Sequence, residues 1–446
     1  EFALNYKRTF DKEGQEFTTD LDFSNSDRNS DEDLTAFDNI ASTSSFEKTT
    51  NDSKSYSFTF QSDLVKPIGN GGRLETGIKG IIRSSDANYV FKTRLLMSEP
   101  WKKDTLVSNR FILDDQVYAG YAIYSNTIGP ISYQAGLRIE DQLKKADQRT
   151  TDSVVNASFF NLFPSAHIKW DINKKNAIQV SYSRRVDRPS GRDLNPFKNI
   201  EDPWNISYGN PKLEPEFTNA YEIGHTLVLS KTNLTTTLFY RYRTNIIAQQ
   251  TTRVNNSDTL VSTPLNLNSG STLGVELILN QKITDWWKIN GNFSYFQAKL
   301  NDKSVDQSAS ESKSWTAKAT SSFSIGKNFE IQINGNYRSP VITGIGGGHG
   351  YGHSGGGSQG KTKEIFYMDL GLRYLVMNKR GTITLRVSDI FDTRTSKSNS
   401  WGADYTSYQK DMHESQIIFI GFSYRINDYK QRQNSKTEDL SNDMDE

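Results

Sequence analysis

Short turns and long polar loops alternate along this chain without interruption, and that order constrains the fold more than any motif does. Between segments of period-two alternation, tight connections fall at Asp11–Gly14, Lys66–Gly72, Gly129–Pro130, Asn173–Asn176, Lys231–Asn233, Thr284–Asp285, Lys327–Asn328 and Asn378–Gly381. The long connections centre on residues 26–53, 86–109, 147–156, 187–216, 252–269, 301–312, 342–361 and 393–412. A soluble sandwich has little reason to collect all its short turns at one end. A barrel threaded through an outer membrane does, because its periplasmic turns are short and its outside loops long.

The strands between these connections have two unlike faces. From Phe329 to Arg338 one face carries Phe329, Ile331, Ile333, Gly335 and Tyr337, and the other Glu330, Gln332, Asn334, Asn336 and Arg338. Ile131–Glu140 repeats the pattern, with Ile131, Tyr133, Ala135, Leu137 and Ile139 set against Ser132, Gln134, Gly136, Arg138 and Glu140. About 17 such strands are present, whereas open twisted sheets rarely exceed ~10. The sequence therefore predicts an all-β fold, a transmembrane antiparallel β-barrel with an apolar exterior and a wet lumen. That fold also reconciles 35% hydrophobic residues with 12% aromatic ones, a content too high for a disordered chain. No stretch approaches the roughly 18 apolar residues of a membrane helix. A formal charge of +1 leaves no footprint for nucleic acid, and the absence of cysteine excludes disulfides and thiolate metal sites.

Aromatic placement and strand parity extend the prediction. Trp170, Trp286, Trp287, Tyr374 and Tyr424 sit near the short-turn ends of strands, where an amphipathic ring suits the membrane interface. Trp101, Trp204 and Trp401 fall in long loops instead. With short turns periplasmic, the first and the last strand both run from outside inward. Bacterial barrels have even strand numbers, with ~22 in a plugged transporter. The expectation is thus a C-terminal portion holding about 17 of 22 strands, with a plug and the first strands upstream. No initiator Met or signal peptide stands at Glu1, so residue 1 reads as internal to a longer precursor. Residues 1–426 form the expected barrel and 427–446 a polar, acidic-ended, disordered tail.

One region carries a family resemblance. Ser181-Tyr-Ser-Arg-Arg-Val-Asp-Arg-Pro-Ser-Gly-Arg-Asp-Leu-Asn-Pro-Phe197 is followed by Gly209-Asn-Pro-Lys-Leu-Glu-Pro-Glu-Phe-Thr-Asn-Ala-Tyr-Glu-Ile-Gly224. Together they resemble the barrel of TonB-dependent outer-membrane receptors, especially the Bacteroidetes branch. Val387-Ser-Asp-Ile-Phe-Asp392 and Phe419-Ile-Gly-Phe-Ser-Tyr-Arg425 are similar to that family's last strands. The resemblance implies a bacterial outer-membrane location and energised import of a bulky nutrient: a siderophore, haem, glycan, peptide or vitamin. Its implied partners are membrane lipids and the inner-membrane TonB complex, reached through a plug absent from this chain. The rival readings are a structural or adaptor barrel, for example with a surface lipoprotein partner, and a passive porin.

The remaining motifs are weighed on their chemistry. Pro189, Pro196, Pro203, Pro211 and Pro215 remove donors, so their loop is expected not to extend the sheet. Glu214 and Glu216, beside Arg184, Arg185, Arg188 and Arg192, are expected to brace the outer rim by ion pairs. Trp101, Trp204, Trp401, Tyr405 and Tyr351 are the candidate substrate contacts, since rings bind ligands at low entropy cost. His349 and His353 flank Tyr351 in the glycine-rich stretch 344–360. Imidazoles there could take copper, zinc or haem iron, but four-residue spacing aligns ligands on a helix, which this glycine content opposes. A flexible loop without resident cofactor is the expectation. The acidic stretch Asp20, Asp22, Asp27, Asp31, Glu32, Asp33 and Asp38 lacks the spacing of a helix–loop–helix calcium site and reads as solvated loop charge. No nucleophile–base pair, phosphate loop or zinc-protease motif is found, so no enzymatic activity is expected.

Overall fold

The computed structural model describes residues 1–38, 43–69, 71–199, 204–254, 257–301, 311–342, 360–401 and 405–426. His349, Tyr351, His353 and the 427–446 tail lie outside the described residues. The first eight strands are β1 (Phe2–Thr9), β2 (Glu16–Asp38), β3 (Thr43–Ile68), β4 (Gly72–Arg94), β5 (Lys102–Lys103), β6 (Asn109–Ile128), β7 (Ile131–Gln148) and β8 (Ser153–Asn173). Then come β9 (Asn176–Asp187), a one-turn helix α1 (Gly191–Leu194), β10 (Asn205–Ser207), β11 (Glu216–Val228), β12 (Thr232–Arg253), β13 (Leu260–Lys282), β14 (Trp287–Asn301), β15 (Glu311–Ile325) and β16 (Phe329–Arg338). The chain finishes with β17 (Val341–Ile342), β18 (Gly360–Thr362), β19 (Ile365–Val376), β20 (Gly381–Val387), β21 (Thr395–Trp401), β22 (Thr406–Met412) and β23 (Ile418–Tyr424).

Seventeen of these strands pair antiparallel, each with the next in the series β1, β2, β3, β4, β6, β7, β8, β9, β11, β12, β13, β14, β15, β16, β19, β20, β23. The expected strand number is therefore met. Among the described residues β1 and β23 are the two edges of the sheet, and no register joins them. All the expected tight turns connect consecutive strands at the same end. The tightest is Gly129–Pro130, flanked by the Ile128↔Ile131 pair, where Gly129 takes φ +57°.

Alternation sorts the side chains as anticipated. On β23, Ile418, Ile420 and Phe422 are 66%, 74% and 61% exposed on what becomes the lipid face. On β7, Leu137, Ile139 and Leu143 point outward, while Glu140, Gln142, Lys144 and Gln148 are buried on the lumen side. At the short-turn end Trp286, Trp287 and Phe323 form a stacked outer cluster with ring centroids 5.9–6.3 Å apart, and Trp287 Nε1 donates to Ser321 Oγ at 2.9 Å. This is the interfacial placement expected of tryptophan.

The expected long loops are corrected at several places. Residues 26–53 are for the most part a ladder, since β2 and β3 stay paired out to Asp38↔Thr43. Residues 147–156 shrink to the turn 149–152, and the ladder of β12 with β13 continues to Arg253↔Leu260. A spanning strand needs only ~9–11 residues, so strands of 23 and 26 residues project well beyond the bilayer. Both faces are wet there, hydrophobic alternation stops, and the backbone ladder does not. Polar cross-strand contacts take over: Lys54–Asp27 at 3.5 Å, Lys48–Asp33 at 3.6 Å and Thr50 donating to Asp31 at 2.8 Å. The acidic stretch is thus largely strand rather than loop. Among the described residues no group of His, Asp or Glu is placed to hold a metal.

Candidate functional site at the mouth of the barrel

Two connections at the long-loop end turn inward and cover the lumen wall. The first is the proline-rich segment between β9 and β11. Proline keeps most of it out of the ladder, but its proline-free stretch β10 adds a short parallel strand beside Leu260–Ser262 of β13, so the expectation that it cannot extend the sheet holds only in part. Ser190 caps α1 reciprocally with Asp193: Asp193 N–H donates to Ser190 Oγ at 3.3 Å, and Ser190 N–H donates to Asp193 Oδ2 at 3.0 Å. Gly209 N–H then donates to Asn195 O at 2.7 Å and Asn210 N–H to Asp193 O at 2.6 Å, closing the return leg over the helix. Leu194 and Leu213, each 1% exposed, pack with Phe111 and Ala146 of the inner wall.

Polar anchors fix the same segment. Arg188 Nη2 donates to Glu140 Oε2 at 2.5 Å, and Arg138 Nε to Glu140 Oε1 at 2.5 Å. Lys144 Nζ donates to Leu213 O at 2.9 Å. Asn210 Oδ1 accepts from Lys212 N–H at 3.0 Å, and Glu216 Oε2 accepts from Ile247 N–H at 3.2 Å. Gly209, Asn210, Leu213 and Glu216 of this run thus each have a mechanical role.

The second cover joins the β16–β19 and β20–β23 connections. β17, β18, β21 and β22 form a separate antiparallel sheet. Ser339 N–H donates to Trp315 O at 2.9 Å, and Ser314 Oγ donates to Pro340 O at 2.7 Å, which seats the buried Val341 and Ile342 at the wall. Val341 and Trp401 join the apolar patch of Phe239, Ile246, Ala248, Leu267, Phe296, Ala298 and Leu300. Gly274 leaves the space those rings fill, because a Cβ there would stand 2.6 Å from Phe239 Cζ and 2.7 Å from Phe296 Cβ.

At the outer end of β20, Asp389 anchors this second cover. It is 1% exposed, and its carboxylate accepts from Arg394 N–H at 2.8 Å, Thr393 N–H at 3.0 Å and Ser415 Oγ at 2.7 Å. Burial pushes its pKa up, but the Ser415, Arg394 and Thr393 bonds together hold it below the ordinary carboxylate value. A depressed folded-state pKa contributes stability above the unfolded value, about 3.9, that is lost as pH falls through the folded value. Protease cleavage within residues 393–416 is therefore expected to rise as pH drops below about 4. Asp389→Asn should raise cleavage already at pH 7 and abolish the pH dependence; a variant as resistant as the native protein would remove Asp389 as the anchor.

The candidate contact residues do not form one cluster. Trp101 lies over β4, stacked 4.4 Å from the Arg94 guanidinium. Trp204 is 59% exposed beside β10, and its carbonyl accepts from Leu260 N–H at 2.7 Å. Burial raises the Tyr405 hydroxyl pKa, partly offset by its hydrogen bond with Thr251, which pairs with Ser262. Trp204, Trp401 and Tyr405 therefore surround the projecting β12–β13 ladder, and Trp101 stands apart. Of the rim residues, Arg188 pairs with Glu140 and Glu216 with Arg243 at 3.6 Å, while Glu214 accepts from Asn245 Nδ2 at 3.1 Å. Among the described residues no ion pair is seen between Arg188 and Glu214 or Glu216: Arg188 has left the β9–β11 ladder and bends over β7 to Glu140, while Arg185 stays in the ladder opposite Thr218. Sequence reasoning missed Glu140, Gln142, Lys144 and Gln148, whose signal was polar alternation continuing past the apolar part of β7.

Between the proline-rich cover and the inner wall lies a cavity of about 440 Å³, bordered by β2, β3, β4, β6, β7 and β8. That size falls in the usual range of small-molecule sites.

A model of the outer membrane protein beta-barrel family matches residues 8–424. No curated protein matches the sequence. Among solved structures, the copper transporter OprC superposes with a TM-score of 0.65 at 11% identity, over 95% of this chain and 64% of that one. The siderophore receptor PiuA from Acinetobacter baumannii gives 0.64 at 14% identity, over 95% and 63%. The ferric yersiniabactin uptake receptor FyuA from Yersinia pestis gives 0.62 at 12%, over 95% and 60%. This chain thus spans less than two thirds of the length of each, and at such identities the likeness is one of fold. The chain belongs to the outer membrane protein beta-barrel family, and its strands cross the outer membrane.

Proposed function

We propose that the barrel is the membrane portion of a receptor for energised, TonB-dependent uptake of a bulky nutrient. The observation that carries this reading is the mouth: Leu194, Leu213, Val341 and Ile342 are buried on the inner side of the sheet, so two outside connections fold inward against the wall, as suits a receptor better than an open pore. The fold shared with named uptake receptors and a copper transporter agrees with it. A bilayer leaves no unpaired strand edge, so in this reading the β1 and β23 edges meet further strands of the same protein, and coupling to TonB runs through a plug outside residues 1–426.

The test uses the full-length protein in a planar bilayer and in cells with and without the inner-membrane energising complex. The expected results are a closed barrel and uptake that falls to background when the complex is removed. A steady open channel needing no energy would favour the passive porin instead.

A further inference from the structure

One level of the inner wall carries a continuous row of polar side chains. Ser24 of β2 lies opposite Ser57 of β3, Ser57 opposite Arg83 of β4, Arg83 opposite Asp115 of β6, and Asp115 opposite Lys144 of β7. The next level outward continues with Ser55 opposite Ser85. All seven line the 440 Å³ cavity, with Phe159 beside them and the proline-rich segment above.

The hydrogen-bonding capacity of this row is largely unspent. Arg83 is exposed and has no hydrogen bond or ion pair among the described residues. The hydroxyls of Ser24, Ser55, Ser57 and Ser85 likewise have no partner among them. Lys144, 5% exposed, uses one of its three donors on Leu213 O and lies 5.4 Å from the Phe159 ring centre. Asp115 is occupied in accepting from Gln142 Nε2 at 2.6 Å, and the Arg188 charge is met by Glu140. Arg83 and Lys144 therefore face the space beside Asp115, whose charge acts on Lys144 together with that of Glu214, and Arg83 keeps its donors free among the described residues. A guanidinium fork fits planar oxyanions bidentately.

We infer that this cavity binds an acidic sugar, with its carboxylate or phosphate on Arg83 and Lys144 and its hydroxyls on the serine rows. A bare anion would leave the serines and most of the volume idle, and a neutral sugar would leave Arg83 unmatched. The inference rests on the mouth being the ligand compartment of an uptake receptor.

Calorimetric titration of the full-length protein in detergent tests it, with glucuronate, glucose 6-phosphate, glucose and inorganic phosphate as probes. Either or both acidic sugars are expected to bind at least about tenfold more tightly than glucose, the equivalent of one charge-assisted contact. Arg83→Ala should erase that preference and Arg83→Lys restore part of it, with heat-modifiable gel migration confirming the folded barrel in each. The inference is overturned by equal affinity for glucose and both acidic sugars, by an unaltered preference in Arg83→Ala, by inorganic phosphate matching glucose 6-phosphate, or by no binding at all. Failure here with a closed, energy-dependent wild-type barrel sinks this inference alone. An open channel sinks the receptor reading whatever binds.

Discussion

Replacing Gly209 with alanine is expected to release the proline-rich segment from the lumen wall while the membrane strands stay folded. A Cβ at this position would stand 2.5 Å from Asp193 O and 2.6 Å from both Arg192 O and Asn195 O. All three are backbone atoms at the end of α1, so no side-chain rotation relieves the clash. The same backbone carries the Gly209→Asn195 and Asn210→Asp193 hydrogen bonds, and moving the legs apart breaks both. Overpacking of this kind costs about 3 kcal/mol or more when it also breaks backbone bonds. Local opening should then increase amide exchange over residues 190–213 by about a hundredfold. Gly224→Ala is the control, since its nearest neighbour, Thr237 Oγ1, is 3.8 Å away and the change should be silent. Exchange unchanged in Gly209→Ala would mean that α1 and the return leg are not held against each other.

What the sequence made legible follows from what is local. The turns at Gly129–Pro130 and Asn378–Gly381 announce themselves through residues suited to left-handed backbone, and the spanning strands through the contrast between lipid and lumen faces. Asn378 does take positive φ, at 53°, and so do Met377 and Lys379, at 51° and 69°, although neither is a residue type that favours it. The projecting ladders were invisible because Ser, Thr, Asn, Asp and Lys on two wet faces leave no period to detect. The mouth was half legible. Its proline-rich segment stood out as a motif, but what the motif grips did not, since Lys144 meets Leu213 from 69 residues away and Arg188 meets Glu140 from 48. Charge spacing along the segment suggested that Glu214 and Glu216 would serve its own arginines. The fold instead brings a carboxylate from β7 to Arg188, and no local rule encodes that choice. Asp389 is similar: the Ser-Asp-Ile-Phe-Asp run was recognisable, yet its bond with Ser415 depends on a connection that returns 26 residues later.

Glu140→Ala is expected to be the most damaging single substitution in the wall. The Glu140 side chain is 7% exposed and holds two guanidinium groups at 2.5 Å, each about 30% exposed. Removing one member of a buried pair leaves a charge with neither water nor partner, at a cost of about 3–5 kcal/mol. Here two arginines lose their carboxylate together, though partial exposure lets water soften the loss. Arg138 stays fixed to β7, whereas Arg188 opens the proline-rich segment, so the strain should appear as release of that segment. Glu140→Gln keeps the shape and one acceptor, and should fall between native and Glu140→Ala. A double-mutant cycle with Arg188→Ala separates the contributions. If the ion pair is the anchor, Glu140→Ala adds little once Arg188 is gone. If the two losses add, Leu194 and Leu213 hold the segment by burial, and Glu140 serves only Arg138. The outcome decides whether the roof of the lumen is fastened by charge, and so responsive to a charged ligand arriving beside it, or by apolar packing that such a ligand would leave undisturbed.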